Sequence, residues 1–147
     1  MTLERLPVRS REDGSNCFVC GRDNQSGLRV RFRIEEDVCR GEFTPEPDHC
    51  GFEGVTHGGI LFSLLDDVMA NWLYLKGVRA YTARCDVRFR RPLPTGCRVR
   101  LEGRQVRQKR NVVMMEGIAI RADTAELVAS CEANFVILQS IEESIGQ

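Results

Sequence analysis

The stretch from Val55 to Gly77, VTHGGILFSLLDDVMANWLYLKG, constrains the fold of this chain more than any other. Ile60, Leu61, Phe62, Leu64, Leu65, Val68, Met69, Ala70, Trp72, Leu73, Tyr74 and Leu75 cover almost every face of a helix wound at about 3.6 residues per turn. A helix apolar all round has to be covered by other elements on most of its sides. Yet Asp66 and Asp67 stand side by side in its middle, and His57-Gly58-Gly59 stands at its front. Those two carboxylates also rule out a membrane span, because they interrupt the one candidate before it reaches about 18 apolar residues.

The rest of the chain supplies the cover. With 147 residues, 42% of them hydrophobic, it is expected to form one domain with a proper core. A formal charge of +0, from 21 basic and 21 acidic residues, argues against bulk capture of nucleic acid or anionic membrane. The opening MTLERLPVRSREDGS has no apolar core, so residues 1–15 read as a flexible lead-in rather than a secretory signal. Residues 16–140 are expected to be the domain, and 141–147 a frayed tail. Seven cysteines without such a signal fit free thiols in a reducing, cytoplasmic compartment. Cys39, Cys85, Cys97 and Cys131 read as small buried hydrophobes.

Strand patterns flank the helix. Leu28 to Glu36 alternates apolar and charged residues, and DVCRGEFTP follows across a short acidic turn. After the helix, which should stop at Gly77, AYTARCDVRFRRP places Ala83, Cys85, Val87 and Phe89 on one face and Thr82, Arg84, Asp86 and Arg88 on the other. CRVRLEGRQVRQ, VVMMEGIAIRA and LVASCEANFVIL complete the set, separated by short polar turns. The order β-β-α-β-β-β-β, with long antiparallel strands, is that of an α+β protein whose helix is wrapped by its sheet.

The segment HCGFEGVTHGGILFSLLDDVMA resembles the signature of hotdog-fold acyl-CoA thioesterases of the phenylacetate-degradation type. Those proteins share a loop, His-Gly-Gly, and a buried helix with an acid nine residues after the His, here Asp66. CFVCGRDNQSGLRVRF and YTARCDVRFRRPLPTG are also similar to pieces of that family, so the likeness runs from about Cys17 to Leu138. It implies a hotdog fold, with a long central helix wrapped by a curved antiparallel sheet. It also implies a homodimer, or a dimer of such dimers, with sheets joined edge to edge. The implied activity is hydrolysis of an acyl-CoA thioester. A non-hydrolytic acyl-CoA-binding protein and a hotdog hydratase or dehydratase are the rival readings.

The residue types suit thioester hydrolysis. Glycines opening a helix leave N–H groups free to meet an oxyanion at the positive end of the helix dipole, which makes Gly58 and Gly59 candidates, Gly58 foremost. A carboxylate on an apolar helix loses hydration and gains basicity, so Asp66 is a candidate general base or nucleophile. Asp67, one step round, reads as a structural residue paired with an arginine. His57 either caps the helix or lines the carbonyl pocket. Thr82 matches a position where relatives carry a hydroxyl that orients the attacking water.

Gly58 and Asp66 are eight residues apart, about 12 Å of helix rise, too far to act on one carbonyl within one chain. The mechanism therefore needs two subunits, each giving one group. Some relatives also place an Asn or Gln before His-Gly-Gly; here that position is Gly51, leaving the helix amides alone or helped by His49 or His57.

Arg90, Arg91 and Arg110 are candidates to hold the phosphates of coenzyme A. No cofactor or metal is assigned. Cys17-x-x-Cys20 has ligand spacing, but structural zinc generally takes four ligands, and His49 and Cys50 would complete a set only if the loops meet. A plain structural turn is the expectation.

Overall fold

The computed structural model describes residues 14–138. The expected tail, and all of the expected lead-in but Gly14 and Ser15, lie outside the described residues. The elements are β1 (Arg33–Glu35), β2 (Val38–Phe43), a 3-10 turn (Pro47–His49), α1 (Gly58–Tyr74), β3 (Ala80–Phe89), β4 (Val99–Lys109), β5 (Val112–Arg121) and β6 (Leu127–Ile137). All strands join one antiparallel sheet in the order β1-β2-β4-β5-β6-β3. This is the hotdog architecture, with α1 laid against the sheet from β2 across to β3.

Burial explains why the helix is apolar nearly all round. Leu64, Leu65, Val68, Met69 and Leu73 are sealed against Leu101, Val113, Met115, Val128 and Phe135 from the sheet. Two glycines let the helix approach closely. Gly103 in β4 and Gly117 in β5 are direct register partners. A Cβ on Gly103 would lie 2.6 Å from the Val68 carbonyl oxygen, and one on Gly117 would lie 3.2 Å from Met69 Cγ. At its C-terminal end the helix closes through Gly77, whose φ of 80° is left-handed, and Val78 donates its N–H back to the Leu73 carbonyl at 2.9 Å.

Three expectations need correction. Regular pairing in the first strand covers Arg33–Glu35, not Leu28 onward, because Arg29 takes a left-handed φ of 56° that interrupts the pleat. Leu28 and Val30 are buried all the same, and donate backbone hydrogen bonds to Phe18 and Val19. The helix spans Gly58–Tyr74, starting behind His57 as expected but ending at Tyr74 rather than running to Gly77.

The third concerns which way Thr82 points. A bulge in β3 puts Thr82 opposite Phe135 and Arg84 opposite Asn134, with Ala83 as the extra residue. Thr82 therefore shares the helix-facing side with Cys85, which pairs with Ala133, and strict alternation assigned it to the wrong face.

Candidate active site

His57 precedes the first turn of α1 with extended backbone, φ −61° and ψ 134°, and accepts the Gly59 N–H on Nδ1 at 2.8 Å. The N–H groups of Ile60 and Leu61 both go to the His57 carbonyl, at 3.0 and 3.3 Å. Among the described residues the Gly58 N–H has no acceptor recorded. Of the first four amide donors, three are thus engaged and one remains. Gly59 is needed as glycine for another reason: a Cβ there would lie 2.9 Å from His57 Nδ1. Because Nδ1 accepts, the imidazole proton belongs on Nε2, which makes Nε2–H a donor at an exposed helix start.

Asp66 is half-buried in the middle of α1, and Thr82 Oγ1 donates to its Oδ1 at 2.6 Å. The hydroxyl fixes one carboxylate oxygen and leaves Oδ2 for another donor. Gly58, Phe62 and Asp66 fall at i, i+4 and i+8, so they line one stripe of the helix. Phe62 is 38% exposed on a helix otherwise sunk in the core, so this stripe is left uncovered by the chain's own sheet.

The stripe runs beside β3, the last strand of the sheet. At one end of β3, Thr82 meets Asp66; at the other, the Phe89 ring lies 3.5 Å from where a Cβ on Gly58 would sit. Tyr81 and Phe89 are both more than half exposed along this edge. Helix start and carboxylate therefore stand at opposite ends of the same open edge, as the rise of about 12 Å requires.

The basic candidates are spread out. Arg90 and Arg91 follow Phe89, with Arg90 Nε 3.4 Å from Ser130 Oγ and Arg91 paired to Glu126 at 2.9 Å. Arg110 lies in the β4–β5 turn, beside the end of the sheet where Ala80 and Val112 pair with the close of β6. One subunit does not bring the three together. Gly51 packs near the His57 ring, while His49 turns away and accepts the Glu46 N–H on Nδ1 at 2.9 Å.

Asp67 has a different partner from the arginine expected of it. Among the described residues no lysine or arginine pairs with it; it lies against Cys17 and Asn71 instead. Burial pushes its carboxyl up to about 7, with the nearby Cys17 and Asp66 charges adding to the effect. Among the described residues Cys17, Cys20 and Asp67 are the one group of three or more ligating side chains within reach of a single ion, and neither His49 nor Cys50 joins them. The Cys-x-x-Cys spacing was visible in the sequence, but its meeting with a helix residue fifty positions on was not.

One buried helix across one antiparallel sheet, with a free amide at its start and a carboxylate on the same stripe, defines the hotdog class. Residues 53–128, more than half of the chain, match the model of the Thioesterase superfamily, and the chain belongs to that family. It is 28% identical over 113 residues to the acyl-coenzyme A thioesterase THEM5 of Mus musculus, covering 77% of this chain and 45% of that protein. The crystal structure of RHA08564, a thioesterase superfamily protein, superposes with a TM-score of 0.74 at 27% identity, over 80% of this chain and 61% of that one. Among solved structures that share the fold, the E. coli PaaI protein of the phenylacetic acid degradation operon has a TM-score of 0.71 at 19% identity, covering 77% and 82%. A Streptococcus mutans protein bound to acetyl CoA has a TM-score of 0.69 at 16% identity, covering 76% and 90%. The chain thus spans less than half of the mouse relative. No helix among the described residues is long and apolar enough to cross a membrane.

Proposed function

We propose that this chain hydrolyses the thioester of an acyl-CoA as a homodimer, with Gly58 of one subunit and Asp66 of its partner acting on one carbonyl. The observation that carries this reading is the placement of both groups at opposite ends of the open β3 edge. A ten-residue strand with an unpaired edge and exposed aromatics invites pairing with a second copy. In a two-fold dimer, β3 would pair antiparallel with itself. If the axis falls near residues 85 and 86, Thr82 faces residue 89 of the partner, since the two numbers sum to twice the midpoint. The Asp66–Thr82 pair then meets the Gly58–Phe89 end of the other subunit. Two equivalent sites result.

In each site the carbonyl oxygen takes the Gly58 N–H, and His57 Nε2–H stands close by as a second donor. Asp66 Oδ2 takes a proton from water as that water attacks the carbonyl carbon, while Thr82 holds Oδ1. The tetrahedral intermediate collapses with cleavage of the carbon–sulfur bond, and coenzyme A leaves as thiolate to be protonated by solvent. Direct attack by Oδ2, giving an anhydride, would use the same geometry. Single turnover in heavy-oxygen water bears on the choice, since label in the Asp66 carboxylate arises only by attack of water on the aspartyl carbonyl of an anhydride. The coenzyme A phosphates fall to Arg90, whose guanidinium is less committed than that of Arg91, and to Arg110 from across the interface.

A panel of acyl-CoA esters followed by free-thiol detection tests the activity. Wild-type protein should release thiol, and Asp66→Asn should lose roughly 10²–10⁴-fold in kcat. Full activity in the Asp66 variant would remove the residue from the mechanism.

A further inference from the structure

The Cys17-Phe-Val-Cys20-Gly21 turn has no part in the thioester chemistry, yet its folding is tightly specified. It closes with Gly21 donating its N–H to the Cys17 carbonyl at 2.8 Å, and Cys20 N–H points at Cys17 Sγ at 3.5 Å. A Cβ on Gly21 would lie 2.3 Å from the Cys17 nitrogen and 2.5 Å from its carbonyl oxygen, so the turn needs glycine there. The loop wraps back on Cys17 and aims the Cys20 backbone N–H toward its sulfur.

Asp67 meets this turn from the helix. Its Oδ1 is 3.8 Å from Cys17 Sγ, and ligand atoms of Cys17, Cys20 and Asp67 all lie within 4.8 Å of one another. A four-coordinate ion with bonds of about 2.0 Å to oxygen and 2.3 Å to sulfur has ligand–ligand edges of roughly 3.3–3.8 Å, so small movements bring the three into register. Asn71, one helical turn on, donates Nδ2 to Asp67 Oδ2 at 3.0 Å and lies 3.9 Å from Cys20 Sγ. Its amide is thus positioned to orient the carboxylate, as partners of metal-bound ligands do.

Two thiols and a carboxylate are gathered in a partly buried place, and no recorded ion pair brings a lysine or arginine to Asp67 among the described residues. A cross-linking disulfide would give the carboxylate no counter-charge; a cation gives it one. Burial of an uncompensated carboxylate is costly.

We propose that Cys17, Cys20 and Asp67 bind one divalent metal ion of borderline softness, best matched by zinc, which ties the N-terminal loop to α1. Two sulfurs and one carboxylate oxygen suit zinc and exclude magnesium or calcium, which prefer oxygen throughout. Cys20 and Asn71 also line a groove of about 700 Å³ together with Arg22, Arg31 and Tyr74, a side from which solvent could supply a fourth ligand.

Asp67 and Asp66 are neighbours in sequence but point about 100° apart round the helix, so this site is separate from the thioester site. The test is a cobalt titration of the full chain, stripped with chelator under reductant. One equivalent should produce thiolate-to-cobalt charge transfer in the near ultraviolet and the visible bands of a four-coordinate ion, both displaced by zinc. Cys17→Ser with Cys20→Ser should abolish the charge transfer, and Asp67→Asn should weaken binding more than ~10-fold. Asp66→Asn protein should bind cobalt like wild type, so failure of the thioesterase reading leaves this one intact. X-ray absorption of zinc-loaded wild type, which does not depend on any variant folding, should count two sulfur ligands. No charge transfer in wild type, the same bands in the double cysteine variant, unchanged affinity in Asp67→Asn, or a sulfur count other than two would each overturn the site.

Discussion

Gly58 offers a clean residue-scale test, because proline can remove its N–H without removing the helix. Proline suits the first helical position, and His57 already has the extended backbone that a residue before proline needs. Gly58→Pro should keep the fold and lose roughly 10²–10³-fold in kcat, the usual cost of one oxyanion donor. Circular dichroism with thiol-release kinetics checks both halves, and undiminished turnover would mean that another donor binds the oxyanion. Thr82→Val keeps shape but drops the hydrogen bond to Asp66 Oδ1. A bond to a charged group of about 1.5 kcal/mol corresponds to a roughly 10-fold lower kcat with KM little changed. If KM rises instead and kcat holds, Thr82 positions substrate rather than the carboxylate.

At the scale of elements, the seat of α1 on the sheet depends on Gly103 more than on Gly117. A methyl group on Gly103 meets the backbone of Val68, which cannot swing aside, whereas one on Gly117 meets the flexible Met69 side chain. Gly103→Ala should destabilise by about 1–3 kcal/mol in urea unfolding and Gly117→Ala by clearly less; equal effects would contradict this packing. At the other edge of the sheet, Arg33 on β1 grips Glu42 on β2 at 2.8 Å and holds its carboxyl below the usual range. A carboxyl depressed in the folded state adds stability above its unfolded pKa, and that stability is lost as pH falls through the folded value. Glu42→Gln should therefore cost up to ~1 kcal/mol near neutrality and nothing in acid, because the pair is partly exposed and screened. Parallel unfolding curves of the two proteins at neutral and acid pH decide it.

The whole molecule carries the prediction of shared sites. If Gly58 and Asp66 act in trans, co-expressed Gly58→Pro and Asp66→Asn chains should regain activity that neither has alone. Half of randomly paired dimers are mixed and each has one intact site, so about a quarter of wild-type activity should return. No recovery in verified mixed dimers would place both groups in one subunit and end the trans arrangement. Light scattering should report a mass of twice 16.7 kDa, or four times if the dimers pair.

Much of this protein could be read from pattern alone. An all-round apolar helix demands cover, and period-two alternation in the flanking segments supplies it, so the architecture follows from burial chemistry local in sequence. His57, Gly58, Gly59 and Asp66 were also nameable there, since their spacing sits on one element. What required the folded chain are the relations that cross elements. The bulge that turns Thr82 onto the helix side arises from one extra residue in β3, and alternation counts straight through it. The meeting of Cys17 and Cys20 with Asp67 depends on which face of α1 the N-terminal loop covers, and that is set by core packing across fifty residues. Periodicity records which side chains prefer to be out of water; the partners they meet there are chosen by tertiary packing.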